Sequence, residues 1–202
     1  MSKFTERSTA PVENTTIINQ LSHRTFRRFT DERLTEEQVD TLVEVARRTA
    51  TSSLSMNLFI CAAEDAVLAA QNTVTAAESM GLGTVFLGSI LGDPRRVIAA
   101  MELPELTYPI LGLLVGHSEQ EPLYRPRLPR DVVFARNTYP RVDSFRQTLA
   151  EYGKEVSEYY EARGGSAQFD DFGQLVVASL GTGGAHVSPV LETLHEQGLC
   201  LF

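Results

Sequence analysis

Cysteine is nearly missing from this chain: Cys61 and Cys200 are the only two in 202 residues, and neither stands at metal-ligand spacing from another donor. A disulfide-stapled scaffold or a zinc ribbon is thereby excluded, and both positions read as buried thiols. Long apolar runs are also lacking. The longest uncharged, mostly apolar stretch, TYPILGLLVGH, has about half the ~20 residues that a bilayer-crossing helix needs, so no membrane partner is expected. The opening residues, MSKFTERSTAPVENTT, carry both signs of charge and no apolar h-region, from which a cytoplasmic setting is expected. Positive charge is in deficit, with 18 Lys and Arg against 26 Asp and Glu, a net charge of −8 and a pI near 5.0. A broad nucleic-acid-binding surface needs the opposite balance. The cations that do occur must serve something small and local.

Catalytic signatures are scarce too. There is no HExxH pattern and no G-x-S-x-G elbow, and His117, His186 and His195 lack a second histidine or carboxylate at ligand spacing, so they read as structural or surface residues with no metal. Two glycine-rich stretches fail as dinucleotide turns. GLGTVFLG precedes a strand when it should follow one, and GTGGAHVSPVLETL lacks the third glycine in register and a later acidic ribose partner.

What is present is the pattern of one compact domain over residues 1–202, 43% hydrophobic and long enough to bury roughly 70% of its unfolded surface. TTIINQLSHR places Ile17, Ile18 and Leu21 at helical spacing. TEEQVDTLVEVARRTA opens on a Thr35/Gln38 capping-box pattern, with Val39, Leu42, Val43 and Ala46 on one face. LFICAA reads as a buried strand, and EDAVLAAQNTVTAAESMG as a long helix with small residues on its buried face and Gly81 or Gly83 as terminator. TVFLGSI and YPILGLLVG read as strands. Between them lies a helix with Asp93 as N-cap, Pro94 at its first position and Pro104 beyond its end. Three prolines exclude regular helix from EPLYRPRLPRDVV. Phe145, Leu149, Tyr152, Val156 and Tyr159 mark another helix, ending at Gly164-Gly165, and a last one starts at Ser188-Pro189. Strands and helices mix without regular alternation, which is the pattern of an α+β domain.

Three separated stretches carry complementary chemistry. HRTFRRF, residues 23–29, concentrates three arginines and a histidine at a helix exit. ATSSLS offers hydroxyls at the end of the next helix. In RPRLPR, proline enforces an extended backbone and sets Arg125 and Arg127 on one side, roughly 6 to 7 Å apart by strand rise, a spacing at which two guanidiniums can grip one phosphate. By themselves these residues indicate a small-anion site or a solvated basic surface.

The compound pattern resembles the nitroreductase family, and within it the flavin reductase and oxygen-insensitive NADPH nitroreductase branch. The resemblance is carried by HRTFRRFTDERLTEEQVDTLVEVARRTATSS, by DAVLAAQNTVTAAESMGLGTVFLGSILGDPRRVIAAMELPE, by YPILGLLVGHSEQEPLYRPRLPRDVVFARNTY and by the YY-x-x-R-G pattern from Tyr159 to Gly164. It implies a nitroreductase-like fold, a mixed and mainly antiparallel sheet flanked by helices, and a homodimer with FMN at the subunit interface. It further implies that hydride passes from NAD(P)H through the flavin to a nitroaromatic, a quinone or free flavin, with the cofactor carrying the chemistry and no dedicated general acid or base. Carried over by position, His23, Arg24, Thr25 and Arg27 would contact the flavin and its phosphate, and Thr51, Ser52 and Ser53 would sit beside it. Phe86, Leu87, Gly88 and Ser89 would line the ring, and Arg125 and Arg127 would complete the phosphate clamp.

The chain departs from the family pattern in two ways. Segments that the family carries before LFICAA and between LFICAA and EDAVLAAQN are nearly closed up, near residues 57 and 63. Beyond Arg163 the chain reads GGSAQFDDFGQ, where the branch places arginines for the 2′-phosphate of NADPH. An active oxidoreductase and a degenerate, non-catalytic flavin-binding relative without the lid both fit this reading.

Overall fold

A computed structural model describes residues 3–51, 58–139, 145–164 and 189–201, without the side chains at 58–61 and 146. The chain forms two compact units. The larger comprises Thr9–Pro122 with Ser188–Phe202, and the smaller Met1–Ser8 with Leu123–Val187.

In the larger unit, α1 (Thr15–Leu21) starts where the Asn14 side chain accepts from the Ile17 N–H at 2.9 Å. The capping box of α2 (Glu36–Arg47) is reciprocal: Thr35 Oγ1 accepts from the Gln38 N–H at 3.2 Å, and Gln38 Oε1 accepts from the Thr35 N–H at 2.9 Å. Two orphan donors at the helix start are thus satisfied. Of the apolar face of α2, only Leu42 is buried, whereas Val39 and Val43 stay exposed. Helix α3 runs over Leu58–Ser79, and Gly81 then takes φ +78°, a left-handed conformation that glycine enters without a Cβ clash.

The continuity of α3 corrects the sequence reading. LFICAA is the first part of a helix, not a strand, because a short apolar run has no period of its own and the helix formers that follow extend it.

Strands β1 (Gly83–Leu87) and β2 (Gly112–Gly116) pair antiparallel, with Gly83 opposite Gly116 and Leu87 opposite Gly112. A 3-10 turn, Gly88–Gly92, takes up the rest of the stretch that reads as strand. Helix α4 (Pro94–Ala100) has Pro94 at its first position, but the Asp93 side chain makes no capping bond. The core gathers Leu42, Ala77 and Leu82, with Leu34, Met80 and Val115 against them.

The smaller unit holds α5 (Arg130–Val133) and α6 (Phe145–Ala162). The single turn of α5 is a second correction: Pro129 precedes it at the cap, where a missing N–H costs nothing, so the proline sets the start of the helix without abolishing it. Phe145, Tyr152, Val156 and Tyr159 form the buried stripe of α6, and the ring of Phe4 meets Tyr159 edge-on at 5.5 Å. Gly164, at φ +83°, ends the helix as its sequence suggests.

The last helix, α7 (Val190–Glu196), belongs to the larger unit. Cys200 lies just beyond it as a free and exposed thiol, against the expectation of burial, because it sits in an irregular segment with φ 55°. The Cys61 side chain lies outside the described residues.

Candidate functional site

Leaving α1, the basic stretch becomes a third partner of the sheet. Thr25 makes a parallel bridge with Thr84 of β1, and the Phe26 N–H donates to the Thr84 carbonyl at 2.9 Å. Further along, Phe29 bridges to Ser118, the Thr30 N–H donates to the His117 carbonyl at 2.9 Å, and the Arg28 carbonyl accepts from the Glu119 N–H at 3.2 Å. The glycines that face each other across the strands make room for this crossing. A Cβ on Gly83 would stand 2.7 Å from Phe26 Cγ, and one on Gly116 would stand 3.0 Å from Phe29 Cδ1. Two phenyl rings seated on two glycines hold the arginine-bearing backbone against the sheet.

Alternation along this extended stretch sorts its side chains. Arg24 and Phe26 line a cavity of about 680 Å³, whose wall also carries Glu32, Glu78, Glu119 and Glu121. Arg24 is only 17% exposed; its Nη2 lies 3.2 Å from Glu121 Oε1, and its Nη1 donates to the Pro122 carbonyl at 3.4 Å. Its guanidinium is therefore already answered by carboxylate in an acidic surrounding. Arg27, by contrast, is exposed and has no hydrogen bond or ion pair among the described residues. His23 is half-buried, with Nδ1 2.6 Å from Glu78 Oε1, and the same oxygen accepts from Thr84 Oγ1 at 2.8 Å.

The end of β1 is open. Phe86 is 38% exposed, Gly88 and Ser89 are exposed, and a Cβ added to Gly88 would meet no atom within 4 Å. Because the Thr25–Thr84 bridge is parallel, HRTFRRF and the strand leading into Phe86–Ser89 run side by side in one direction. Stretches some 60 residues apart in sequence are thereby neighbours in space. Thr51 is exposed at the end of the α2 region, while Ser52 and Ser53 lie outside the described residues.

Arg125 and Arg127 are in the smaller unit. They are exposed on either side of buried Pro126, the pattern of an extended chain with both guanidiniums on its solvent side. Burial raises the Tyr152 phenol above its ordinary pKa, with Arg125 and Arg127 opposing that shift, so both cations lie within electrostatic reach of this ring.

Sequence reasoning passed over Glu78 and Thr84. A lone glutamate in an alanine-rich helix carries no signal of burial, since charge alone assigns it to solvent. Among the described residues there is no cluster that could hold a metal, and no helix is long and apolar enough to cross a membrane.

Comparison with known proteins gives this arrangement its context. Residues 57–117 match the model of the nitroreductase family, and residues 125–202 that of the nitroreductase family, C-terminal domain. The chain is 31% identical to the FMN reductase (NADPH) of Bacillus subtilis over 211 residues, covering 74% of this chain and 85% of that protein. It is 27% identical to the oxygen-insensitive NADPH nitroreductase of Salmonella typhimurium over 230 residues, with 87% and 94% covered. The solved structure of the NfrA1 nitroreductase from B. subtilis superposes with a TM-score of 0.82 at 27% identity, over 91% of this chain and 98% of that one. The alignment with the B. subtilis FMN reductase is longer than the share of this 202-residue chain that enters it, by about 60 positions that this chain does not possess. With matches over both halves and a relative of this identity and coverage, the chain belongs to the nitroreductase family.

Proposed function

We propose that this protein is an FMN-dependent oxidoreductase that draws hydride from NAD(P)H and delivers the electrons to a nitroaromatic, a quinone or free flavin. The observation that carries the reading is the parallel bridge between Thr25 and Thr84, which aligns the arginine-bearing stretch with the open end of β1. The residues fit such a ligand. Open space at Gly88 lets a flat ring approach the backbone, and Arg27 is a cation with no competing partner among the described residues. FMN, when bound, supplies the acceptance of hydride from a nicotinamide and the release of electrons to the acceptor.

In this reading, Phe86, Leu87, Gly88 and Ser89 support the ring, while His23, Thr25 and Arg27 bind the cofactor from the neighbouring stretch. Arg24 reaches phosphate only by exchanging Glu121 for it. Thr51, Ser52 and Ser53 add hydroxyl contacts, and Arg125 and Arg127 contribute a pair of phosphate-binding guanidiniums. The protein's part is to bind, orient and shield, and no side chain is assigned a proton-transfer role.

We place the segments absent relative to the relatives near residues 57 and 63, and their absence favours one rival, a flavin binder without turnover. The relatives' names, FMN reductase and nitroreductase, favour the enzyme. Purified protein mixed with FMN and titrated anaerobically with NADPH separates the readings. An enzyme takes up flavin and its absorbance band bleaches; uptake without bleaching identifies the non-catalytic binder, and no uptake ends the proposal.

We also place the enzyme in the cytoplasm as a homodimer. Val39 and Val43 on α2 and Val67 and Leu68 on α3 are exposed, the apolar surface that a second copy would cover. Light scattering on the purified protein should return twice the chain mass of 22.3 kDa.

A further inference from the structure

Glu78 sits in the last part of α3, on the helix face that buries Val74 and Ala77. Its side chain is only 10% exposed. A carboxylate on a core face is costly unless its oxygens are hydrogen-bonded, and here two groups converge on Oε1. Thr84, itself fully buried, donates its hydroxyl at 2.8 Å, and His23 Nδ1 approaches at 2.6 Å. An ionised carboxylate has no hydrogen to give, so the proton in the second contact is on Nδ1. An imidazole in water exchanges freely between its two tautomers, but one whose Nδ1–H is tied to a carboxylate does not. Nε2 is then the ring's remaining polar atom, and in the neutral ring it is an acceptor.

A phosphate dianion also only accepts, so neutral Nε2 is the wrong partner for it. A hydroxyl is the right one. We infer that Glu78, held by Thr84, is a positioning residue that fixes the Nδ1–H tautomer of His23, and that His23 Nε2 thereby accepts from a ribityl hydroxyl of the flavin and makes no contact with its phosphate. This rests on the flavin-binding reading above. It also separates His23 from Arg27, to which the phosphate is left.

The test combines spectroscopy and binding. In flavin-free wild-type protein, at a pH where imidazoles are neutral, the ¹⁵N shifts of the His23 ring should show the proton on Nδ1. Glu78→Ala should lose that preference, while Glu78→Gln should keep it, since the amide oxygen still accepts from both groups. By analogy with histidines oriented by a hydrogen-bonded partner in metal sites, Glu78→Ala should weaken flavin binding by about tenfold, with Glu78→Gln close to wild type. The factor should be the same for FMN and for riboflavin, which lacks the phosphate.

A wild-type proton on Nε2 overturns the inference without any variant, and so remains decisive if Glu78→Ala does not fold. Unchanged affinity in a folded Glu78→Ala, or a loss confined to FMN, overturns it while leaving the proposed function standing. Wild-type protein that binds no flavin removes both.

Discussion

The two basic stretches of this chain, HRTFRRF and RPRLPR, carry the same chemistry and hold their shape by opposite means. The first contains no proline. Its path is set by partners distant in sequence, namely the Thr84 carbonyl that accepts from the Phe26 N–H, the His117 carbonyl that accepts from Thr30 just beyond it, and the Gly83 and Gly116 positions that receive its phenyl rings. The second is shaped largely by its own covalent structure: Pro126 is buried between exposed Arg125 and Arg127, and the Tyr124 N–H ahead of them donates to the Phe4 carbonyl at 2.8 Å. A stretch shaped by its neighbours can be displaced by a change far away in sequence. One shaped by proline loses function mainly through its own charges.

The widest difference should come from the charges of RPRLPR. Replacing Arg125 and Arg127 together by alanine should reduce FMN affinity by several powers of ten, since each charged hydrogen bond contributes about 1.5 to 3 kcal/mol. Thermal stability should hardly change, because both side chains are exposed. Full flavin retention in the double variant would remove these arginines from the site.

Gly83→Ala attacks HRTFRRF without touching a cation. The added Cβ meets the Phe26 ring at 2.7 Å, so overpacking should cost about 1 to 3 kcal/mol in urea unfolding. Flavin affinity should fall with it as the backbone of the stretch is pushed from the sheet. A variant that is destabilised yet binds FMN normally would break the link between the glycine contact and the site. Gly116→Ala, with its closest contact at 3.0 Å, should do less.

A third stretch tests the comparison where cations are lacking. Beyond Arg163 the chain reads GGSAQFDDFGQ, most of it outside the described residues. With no guanidinium there for the 2′-phosphate, the preference for NADPH over NADH in kcat/KM should stay below about 100-fold, or roughly 2.7 kcal/mol. A larger ratio would assign that phosphate to arginines elsewhere in the chain.

The smallest effect belongs to a surface tether of the larger unit. Arg95 Nη2 lies 2.6 Å from Glu196 Oε1 and 2.9 Å from Glu192 Oε2, linking α4 to α7. The hydrogen bond from Arg95 holds the Glu196 carboxyl below its ordinary pKa. The stabilisation is thus present above the usual carboxylate range and lost as pH falls through the lowered value. Protection factors over Val190–Glu196, corrected for the intrinsic slowing of amide exchange in acid, should fall modestly as pH drops, and Arg95→Ala should lower them likewise at neutral pH. An exposed ion pair warrants no more than that.

Local chemistry was legible wherever it is self-contained. The Thr35/Gln38 capping box, the Phe145–Tyr159 stripe and the glycine stops at Gly81 and Gly164 need only residues a few positions apart, and each is observed. LFICAA reads as a strand because helix and strand differ there only in what the chain does next, and Cys200 reads as buried because burial is a property of the surroundings. The arginines announced themselves as a local anion site, whereas the distinction between Arg24, engaged by Glu121, and Arg27, which is exposed, depends on which side of an extended backbone meets the cavity.

By itself the sequence determined the capping box of α2, the buried stripe of α6, the glycine stops of two helices and the acidic balance of the chain, because propensity, charge and motif are properties of short segments. Only the tertiary structure decided that Thr25 lies beside Thr84, that Phe26 and Phe29 rest on Gly83 and Gly116, and that the Glu78 carboxylate meets Nδ1 of His23. Those contacts join residues far apart in the chain, and the packing that forms them leaves no local trace.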